Sequence, residues 1–434
     1  MRDIIKKKVL ICSIPSWNKK SGADTYTQLF EGCDISKLAC LYIREDNPDS
    51  DVCNLYFRIS ENKIIKSLFN HRIQTGEKIE INKIDSLPDN SKNEFISKRR
   101  YRRFLHFRPW SLVLLRELIW FCGHWKTKEL DDFITDFKPD IVLFAMEGYI
   151  HFDRICRYII SRSHAVGIGY FWDDNFTYKK FYWNPLEWLN RFLQRNELIK
   201  CVKCCKRFLA ITSKTKKEAD KTFNINCEII TKPVKLNSEL PVKNLSKHFP
   251  IRMIYTGNLI YGRFETLKIM SDCLKEINNS NNIYFVLDVY TGTDLTEKEK
   301  NSLLPYVNIR GFVNQDKILE IQEASDILVF IEALCGRHAQ DARLSFSTKI
   351  TDYLSANKCI LAIGPNNIAP IEYLQAENAA IVATNKDEIK EKLISITNKY
   401  ELLSKYAMNA RECASRNHLS DNIKSKLYSI INSI

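Results

Sequence analysis

Ile251-Arg252-Met253-Ile254-Tyr255, running into Thr256-Gly257, reads as a buried strand that ends in a turn. Beyond it Leu267, Met270, Leu274 and Ile277 recur at helical spacing. The alternation then repeats. Strands are expected at Ile283-Tyr284-Phe285-Val286-Leu287, at Val307-Asn308-Ile309-Arg310 before Gly311, at Ile327–Ile331 and at Cys359–Ile363. Helices are expected across Ile318 to Ala324 and Lys349 to Ala356. Short apolar runs alternating with helical periods predict an α/β unit whose parallel sheet is covered on both faces. Ligands on such sheets bind beyond the carboxyl ends of the strands.

The same rhythm is present, less regularly, in the first half. Val9–Ile14, Leu38–Ile43, Asp140–Ala145, Gly167–Phe171, Phe208–Thr212 and Cys227–Ile230 read as strands, whereas residues 44 to 125 give no topology. Around Pro233, Pro241 and Pro250 the chain turns polar, which marks a linker. The resulting division is a first domain over 1-235, a linker over 236-250, a second domain over 251-415, and a terminal helix over 416-434 that packs back on the first domain.

Composition narrows the function classes. The chain has 434 residues, 45% of them hydrophobic, which supports two packed cores rather than disorder. The basic opening Met1–Lys8 is followed by an apolar run, Val9–Ile14, that meets Pro15 at once. It is too short for a signal core. No run approaches the roughly 18 apolar residues of a membrane span. A cytoplasmic location is therefore expected. Fourteen cysteines are scattered, several within apolar runs, and Cys201, Cys204 and Cys205 lack a second ligand pair for zinc, so helix packing is expected there. The net charge of +13 is spread widely, apart from Lys98, Arg99, Arg100, Arg102, Arg103 and Arg108, which contain no acid among them and alternate with aromatic residues. A solvated loop is one reading of this knot and an anionic substrate another; with the apolar stretch from Trp110, peripheral contact of residues 98-125 with an anionic membrane surface is expected, and no nucleic-acid partner.

The strongest chemical signal is Leu344-Ser345-Phe346-Ser347-Thr348-Lys349-Ile350-Thr351-Asp352-Tyr353-Leu354. Ser347 or Thr348 suits a helix N-cap, and free amides at a helix N-terminus suit a phosphate. Lys349 in the first turn opposes the helix dipole unless an anion arrives. An ordinary capped helix with an exposed lysine is the competing reading, and spacing alone does not choose between them. The loop Gly257-Asn258-Leu259-Ile260-Tyr261-Gly262-Arg263 places an arginine at a second helix entrance, where a planar guanidinium can grip phosphate oxygens. Asp173 and Asp174 stand at the end of the strand Gly167–Phe171, suited to a sugar, a metal or a turn cap. His151, beyond Asp140–Ala145, is expected at the surface. No dinucleotide fingerprint, Walker lysine motif, metalloprotease pair or nucleophile elbow occurs.

Over about residues 205 to 395 the chain resembles the retaining glycosyltransferases of family four and related capsular or lipopolysaccharide sugar transferases. The resemblance rests on Phe208–Ser213, the Gly257 loop, Val307–Val313, Ala324–Val329, Lys349–Ser355 and Cys359–Ala362, in that order and spacing. It implies the GT-B fold: two Rossmann-like, doubly wound α/β domains facing across a cleft. The first domain would serve the acceptor, a glycan or lipid-linked glycan, and the second the nucleotide-sugar donor. Transfer would proceed with retention and without metal or cofactor, in surface polysaccharide biosynthesis. Arg263 and Lys349 would hold the donor diphosphate with Ser347, Thr348 and Gly22, the last in the Lys20–Ala23 loop. Gly257, Gly311, Phe312 and Val313 would meet the nucleoside, and Asp352 the ribose, as the second acid of a paired-glutamate motif. Leu344 occupies the first acid's place, leaving Glu332, with Asp341 behind it, as substitute. Asp173 or Asp174 would contact the sugar. A degenerate nucleotide or glycan binder and a nucleotide-sugar epimerase are the alternatives.

Overall fold

The computed structural model describes residues 5–17, 25–81, 110–236, 247–278 and 282–434. Gly22, the Lys98–Arg108 segment and most of the expected linker lie outside these residues. The chain forms two compact units, Met1–Ile230 with Ser425–Ile434, and Thr231–Lys424.

The first unit is built on eight strands: β1 (Val9–Ser13), β2 (Leu38–Tyr42), β3 (Leu55–Ile59), β4 (Gly76–Glu80), β5 (Ile141–Ala145), β6 (Val166–Phe171), β7 (Cys205–Ala210) and β8 (Cys227–Ile229). Their order is β4-β3-β2-β1-β5-β6-β7-β8, parallel except for β4 against β3. β1, β2 and β5 are buried at every position, as continuous apolar strands covered on both faces should be. β3 and β4 fall where the sequence pattern blurred. Glu77, Lys78 and Glu80 make β4 a charged edge that resists further pairing.

The second unit has six strands: β9 (Ile251–Thr256), β10 (Phe285–Tyr290), β11 (Val307–Gly311), β12 (Ile327–Ile331), β13 (Cys359–Ile363) and β14 (Ile381–Ala383). All pair in parallel in the order β11-β10-β9-β12-β13-β14, the doubly wound Rossmann sequence. Alternate residues serve opposite faces. Ile251, Met253 and Tyr255 pack with the helix Arg263–Ile277, while Ile254, Leu328 and Ile360 pack under the helix Thr348–Ser355. β10 starts two residues later than the apolar run suggested, because the Asn278 carboxamide oxygen accepts the amides of Tyr284 and Phe285 (2.9 and 3.1 Å) and ends the loop there. Thr231–Leu236 is tied into this unit. The Lys232 ammonium is buried against Asp352, and Val234 bridges to Leu419. Ser425–Ile434 is tied to the first unit, where the Tyr428 hydroxyl donates to the Leu29 carbonyl (2.8 Å).

His151 departs from expectation by being buried. Glu117, on the helix Trp110–Cys122, takes its backbone amide at 2.9 Å and meets Nδ1 at 3.0 Å, and the Trp120 ring stacks on the imidazole at 4.6 Å. An apolar helix brought a carboxylate and an indole to the same place, and the sequence interval between them concealed it. Two positions further on, Asp153 is wholly buried, and among the described residues neither carboxylate oxygen has a hydrogen-bond partner. Burial pushes its carboxyl well above the ordinary range, and Glu197, Glu147 and Glu117 add to the effect while Arg157 opposes it. The folded protein thus releases this proton at a higher pH than the unfolded chain does. The associated stability is full below about pH 3.9 and declines by about 1.4 kcal/mol per pH unit above it, until the folded pKa is reached. Asp153→Asn should remove that slope. Urea unfolding of the variant and parent should agree near pH 4 and diverge in the variant's favour towards pH 7.

Candidate functional site

The loops after β9 and β12 meet at the switch point of the second sheet, where successive connections leave in opposite directions. Arg263 opens its helix behind Gly262, which has φ 76°. A Cβ on Gly262 would lie 2.8 Å from Ala333 Cβ, so glycine is required for the two loops to approach. Arg263 Nε and Nη2 donate to the two carboxylate oxygens of Glu332 at 3.0 and 2.9 Å, and Nη1 donates to Asn258 Oδ1 at 2.8 Å. The Thr266 hydroxyl fixes the Glu332 carbonyl at 3.0 Å. Two residues expected in separate roles are thus one bidentate ion pair. Arg263 was expected as a free phosphate cation and Glu332 as a sugar-contacting acid, but each neutralises much of the other. Two planar groups brought to one point from adjacent strands pair edge to edge through two parallel hydrogen bonds.

Lys349 differs. It lies in the first turn of the helix Thr348–Ser355, which is anchored to β9 through the Tyr353 hydroxyl and Thr256 Oγ1 (3.0 Å). Its ammonium sits 5.2 Å from the Tyr255 ring centroid and, among the described residues, has no hydrogen-bonding or ion-pair partner. Gly257, at φ 141°, leaves the space it occupies: a Cβ there would fall 1.7 Å from Lys349 Nζ. Burial, then the nearby Arg263 charge, pushes the ammonium down to about 8, while the Glu332 carboxylate opposes the fall. Ser347 takes the N-cap position without making a side-chain cap bond, so its hydroxyl and that of Thr348 adjoin the same helix end. A cation, a helix N-terminus and two hydroxyls face one place, the donor set for an anion.

The other expected residues are distributed around it. Gly311 ends β11, and Phe312 and Val313 follow it at the same sheet edge, where the Thr291 amide donates to the Gly311 carbonyl (2.8 Å). Phe312 is exposed. Asp352 lies one turn beyond Lys349, and both its oxygens accept from Lys232 Nζ at 2.7 and 2.9 Å. Asp341 ends a short helix, 3.7 Å from His338, and is not brought to Lys349 by any contact. In the first unit, Asp174 is buried and works as a turn cap. It accepts the Thr177 hydroxyl at 2.6 Å, and the Arg191 guanidinium is 3.6 Å away. Asp173 stands beside it on the loop after β6. Near Asp173 is Glu147, on the loop after β5, which the sequence reading missed. Burial and then the Asp173 charge push its carboxyl up to about 8, against Arg44. An acid next to a glycine directly after the apolar run Ile141–Ala145 was the signal available for it.

No protein-family model matches the chain. No curated protein matches it either. Solved structures do. The Anabaena protein HepE (Alr3699), solved with UDP and glucose, aligns over 99% of this chain and 100% of its own, with 9% identity and a TM-score of 0.60. Sucrose-phosphate synthase from Thermosynechococcus elongatus aligns over 99% of both chains, with 9% identity and a TM-score of 0.62. The lipopolysaccharide outer core galactosyltransferase WaaB aligns over 98% of this chain and 99% of its own, with 12% identity and a TM-score of 0.57. At these identities the likeness shows the fold, and the fold is GT-B: two Rossmann-like α/β units in one chain.

The Lys349 ammonium should respond to the two charges beside it. Glu332→Gln removes the carboxylate that supports the Lys349 charge and should lower that ammonium's pKa further below about 8. Arg263→Met removes the opposing cation and should raise it. Reductive methylation with carbon-13 and NMR titration of the Lys349 signal would read both shifts, and shifts of the opposite sign would contradict the arrangement.

Proposed function

We propose that the chain is a glycosyltransferase that moves a sugar from a nucleotide-sugar donor to a glycan or lipid-linked glycan acceptor, in surface polysaccharide biosynthesis on the cytoplasmic face of the membrane. The observation that carries this reading is Lys349. Its ammonium has no hydrogen-bonding or ion-pair partner among the described residues, and it is held at the switch point over Gly257, beside a helix N-terminus. Such an arrangement is stable mainly for the sake of an anion that comes and goes. The solved GT-B structures support it, since HepE was captured with UDP and glucose and WaaB is named as a galactosyltransferase.

In this mechanism Lys349 and the amides and hydroxyls at Ser347 and Thr348 meet the donor diphosphate. As the glycosidic bond breaks, negative charge grows on the leaving diphosphate, and fixed donors stabilise that charge more than the ground state. Arg263 presents its remaining donor edge from a position set by Glu332 and Asn258, so Glu332 acts as a positioning residue. Gly311, Phe312 and Val313 would take the nucleoside, with Asp352 towards the ribose once its hold on Lys232 is shared. The resemblance also gives roles to Gly22, which lies outside the described residues, and to Asp173, whereas Asp174 is committed to Thr177 and Arg191 as a turn cap. The positive charge of Lys349 stands where a divalent metal would otherwise be needed, so turnover should be metal-independent. By the same resemblance the donor's anomeric configuration should be retained.

The test is nucleotide release from a panel of nucleotide sugars, with and without acceptor. Turnover should survive EDTA, and NMR should show a retained linkage. Loss of turnover in EDTA that manganese restores would overturn the metal-free reading, and nucleotide binding without turnover on any acceptor would identify a binding protein instead. Lys349→Ala should weaken nucleoside diphosphate binding about 10- to 150-fold by calorimetry, the loss of one or two charge-assisted hydrogen bonds, and should slow turnover further. Because the free ammonium loses its proton near 8, diphosphate affinity of the parent should fall between pH 7 and 9, and that of Lys349→Ala should change less.

A further inference from the structure

In the helix Pro185–Cys204 the usual distribution of side chains is reversed. Its buried positions include Glu187, Asn190, Arg191 and Glu197. Its outward stripe is Leu186, Leu189, Phe192 and Leu193. A helix on an aqueous surface buries its apolar stripe and shows water its polar one. Here the charges are engaged inwards. Arg191 donates to the carbonyls of Asp174 and Thr177 at 2.8 and 2.9 Å, and Glu197 accepts from Arg157 at 2.7 Å. The helix Trp110–Cys122 packs beside it and extends the outward surface with Leu112, Leu115, Leu118 and Phe121. The charges of that helix also face away from the stripe: Arg116 donates to Glu61 (2.9 Å), and Glu117 holds His151. The connection before Pro185 adds Phe181 and Trp183, the latter 91% exposed.

We propose that this two-helix face of the first unit docks on an anionic lipid bilayer. Contiguous apolar surface of this kind marks an interaction site, and its rim selects the partner. Arg154 lies over the Phe121 ring and Arg195 over the Tyr178 ring, each at 4.6 Å. Lys200, which pairs with Glu197, and Lys203 in the last turns of the Pro185 helix, with Lys206 and Arg207 at the start of β7, are exposed. In the sequence, Lys98, Arg99, Arg100, Arg102, Arg103 and Arg108 directly precede Trp110. A second copy of a chain with net charge +13 would bring cations against cations. Anionic headgroups over a hydrocarbon layer complement both parts, and exposed Trp and Phe suit the boundary between them. This deepens the membrane-side placement in the proposed function by assigning the docking face. It stands on geometry independent of the nucleotide site, so vesicle binding and turnover can fail separately.

The experiment is flotation of the full chain with phosphatidylcholine vesicles, with or without about 30 mol% phosphatidylglycerol. The chain should float with the anionic vesicles, less so at high salt, and scarcely with the neutral ones. A Leu189→Glu, Phe192→Glu double variant should reduce partitioning at least about tenfold, with an unchanged circular dichroism spectrum because both positions are exposed. Leu319→Glu, at a residue of the second unit that is 67% exposed, should have no effect. Brominated lipid should quench tryptophan emission in the parent and markedly less in Trp183→Phe. Failure to bind either vesicle, equal binding to both, or undiminished binding of the double variant would overturn the proposal. So would a dimer in sedimentation velocity that the double variant abolishes without any lipid binding, since the face would then belong to a second copy.

Discussion

A single missing side chain sets the geometry of the candidate site. With no Cβ on Gly257, the Lys349 ammonium can settle directly over the end of β9, against the Tyr255 ring and away from bulk water. Any other residue there would displace it. That contact requires the helix Thr348–Ser355 to be docked on the sheet, which the bond between Tyr353 and Thr256 and the packing of Ile350 and Leu354 provide. It also requires the loop after β12 to stand off, which Thr266 and the Arg263–Glu332 pair accomplish. The Rossmann sheet therefore contributes a frame, and a backbone position without a side chain decides what the frame can hold.

The two arginine and lysine cations of this site illustrate how pairing divides labour. Arg263 is satisfied within the protein, and its bidentate contact gives the loop a fixed shape even when no ligand is present. Among the described residues Lys349 is left with an aromatic face, whose attraction is weaker than a carboxylate's. Burial and the like charge of Arg263 make its protonated state expensive. An incoming anion of the kind proposed would relieve that tension. A site with two free cations would bind anions without discrimination, and one with both cations paired would hold none; the observed division lies between.

The first unit has a different economy. Its long helix Pro185–Cys204 turns Glu187, Arg191 and Glu197 inwards and Leu189 and Phe192 outwards. The interior it faces already contains the buried Asp153 carboxyl and several thiols, Cys156 and Cys201 among them. Polar groups inside are tolerable only where partners exist, and Arg157, Asp174 and Thr177 supply them for the long helix. Among the described residues the Asp153 carboxylate has no hydrogen-bond partner, and burial raises its pKa instead.

Five of the six strands of the second unit were legible from sequence because each is a short apolar run bounded by Gly, Pro or polar residues, and the period changes between them; the three-residue β14 is too short to carry that signal and was not read. Lys349 at a helix entrance was legible for the same reason, since a cation at the positive end of a helix is a local conflict visible in eight residues. The antiparallel edge, β3 with β4, was not legible, because its charged strand carries little apolar signal. The pairing of Arg263 with Glu332, the capture of Asp352 by Lys232 and the burial of His151 against Glu117 were hidden for another reason. Each joins residues separated by 34 to 120 positions. Sequence alone determined the α/β class and which segments end at the ligand edge, because periodicity and turn chemistry are local. Only the tertiary structure decided which charges are spent on one another and which stay available, because that depends on distances between loops that meet only after the sheets have formed.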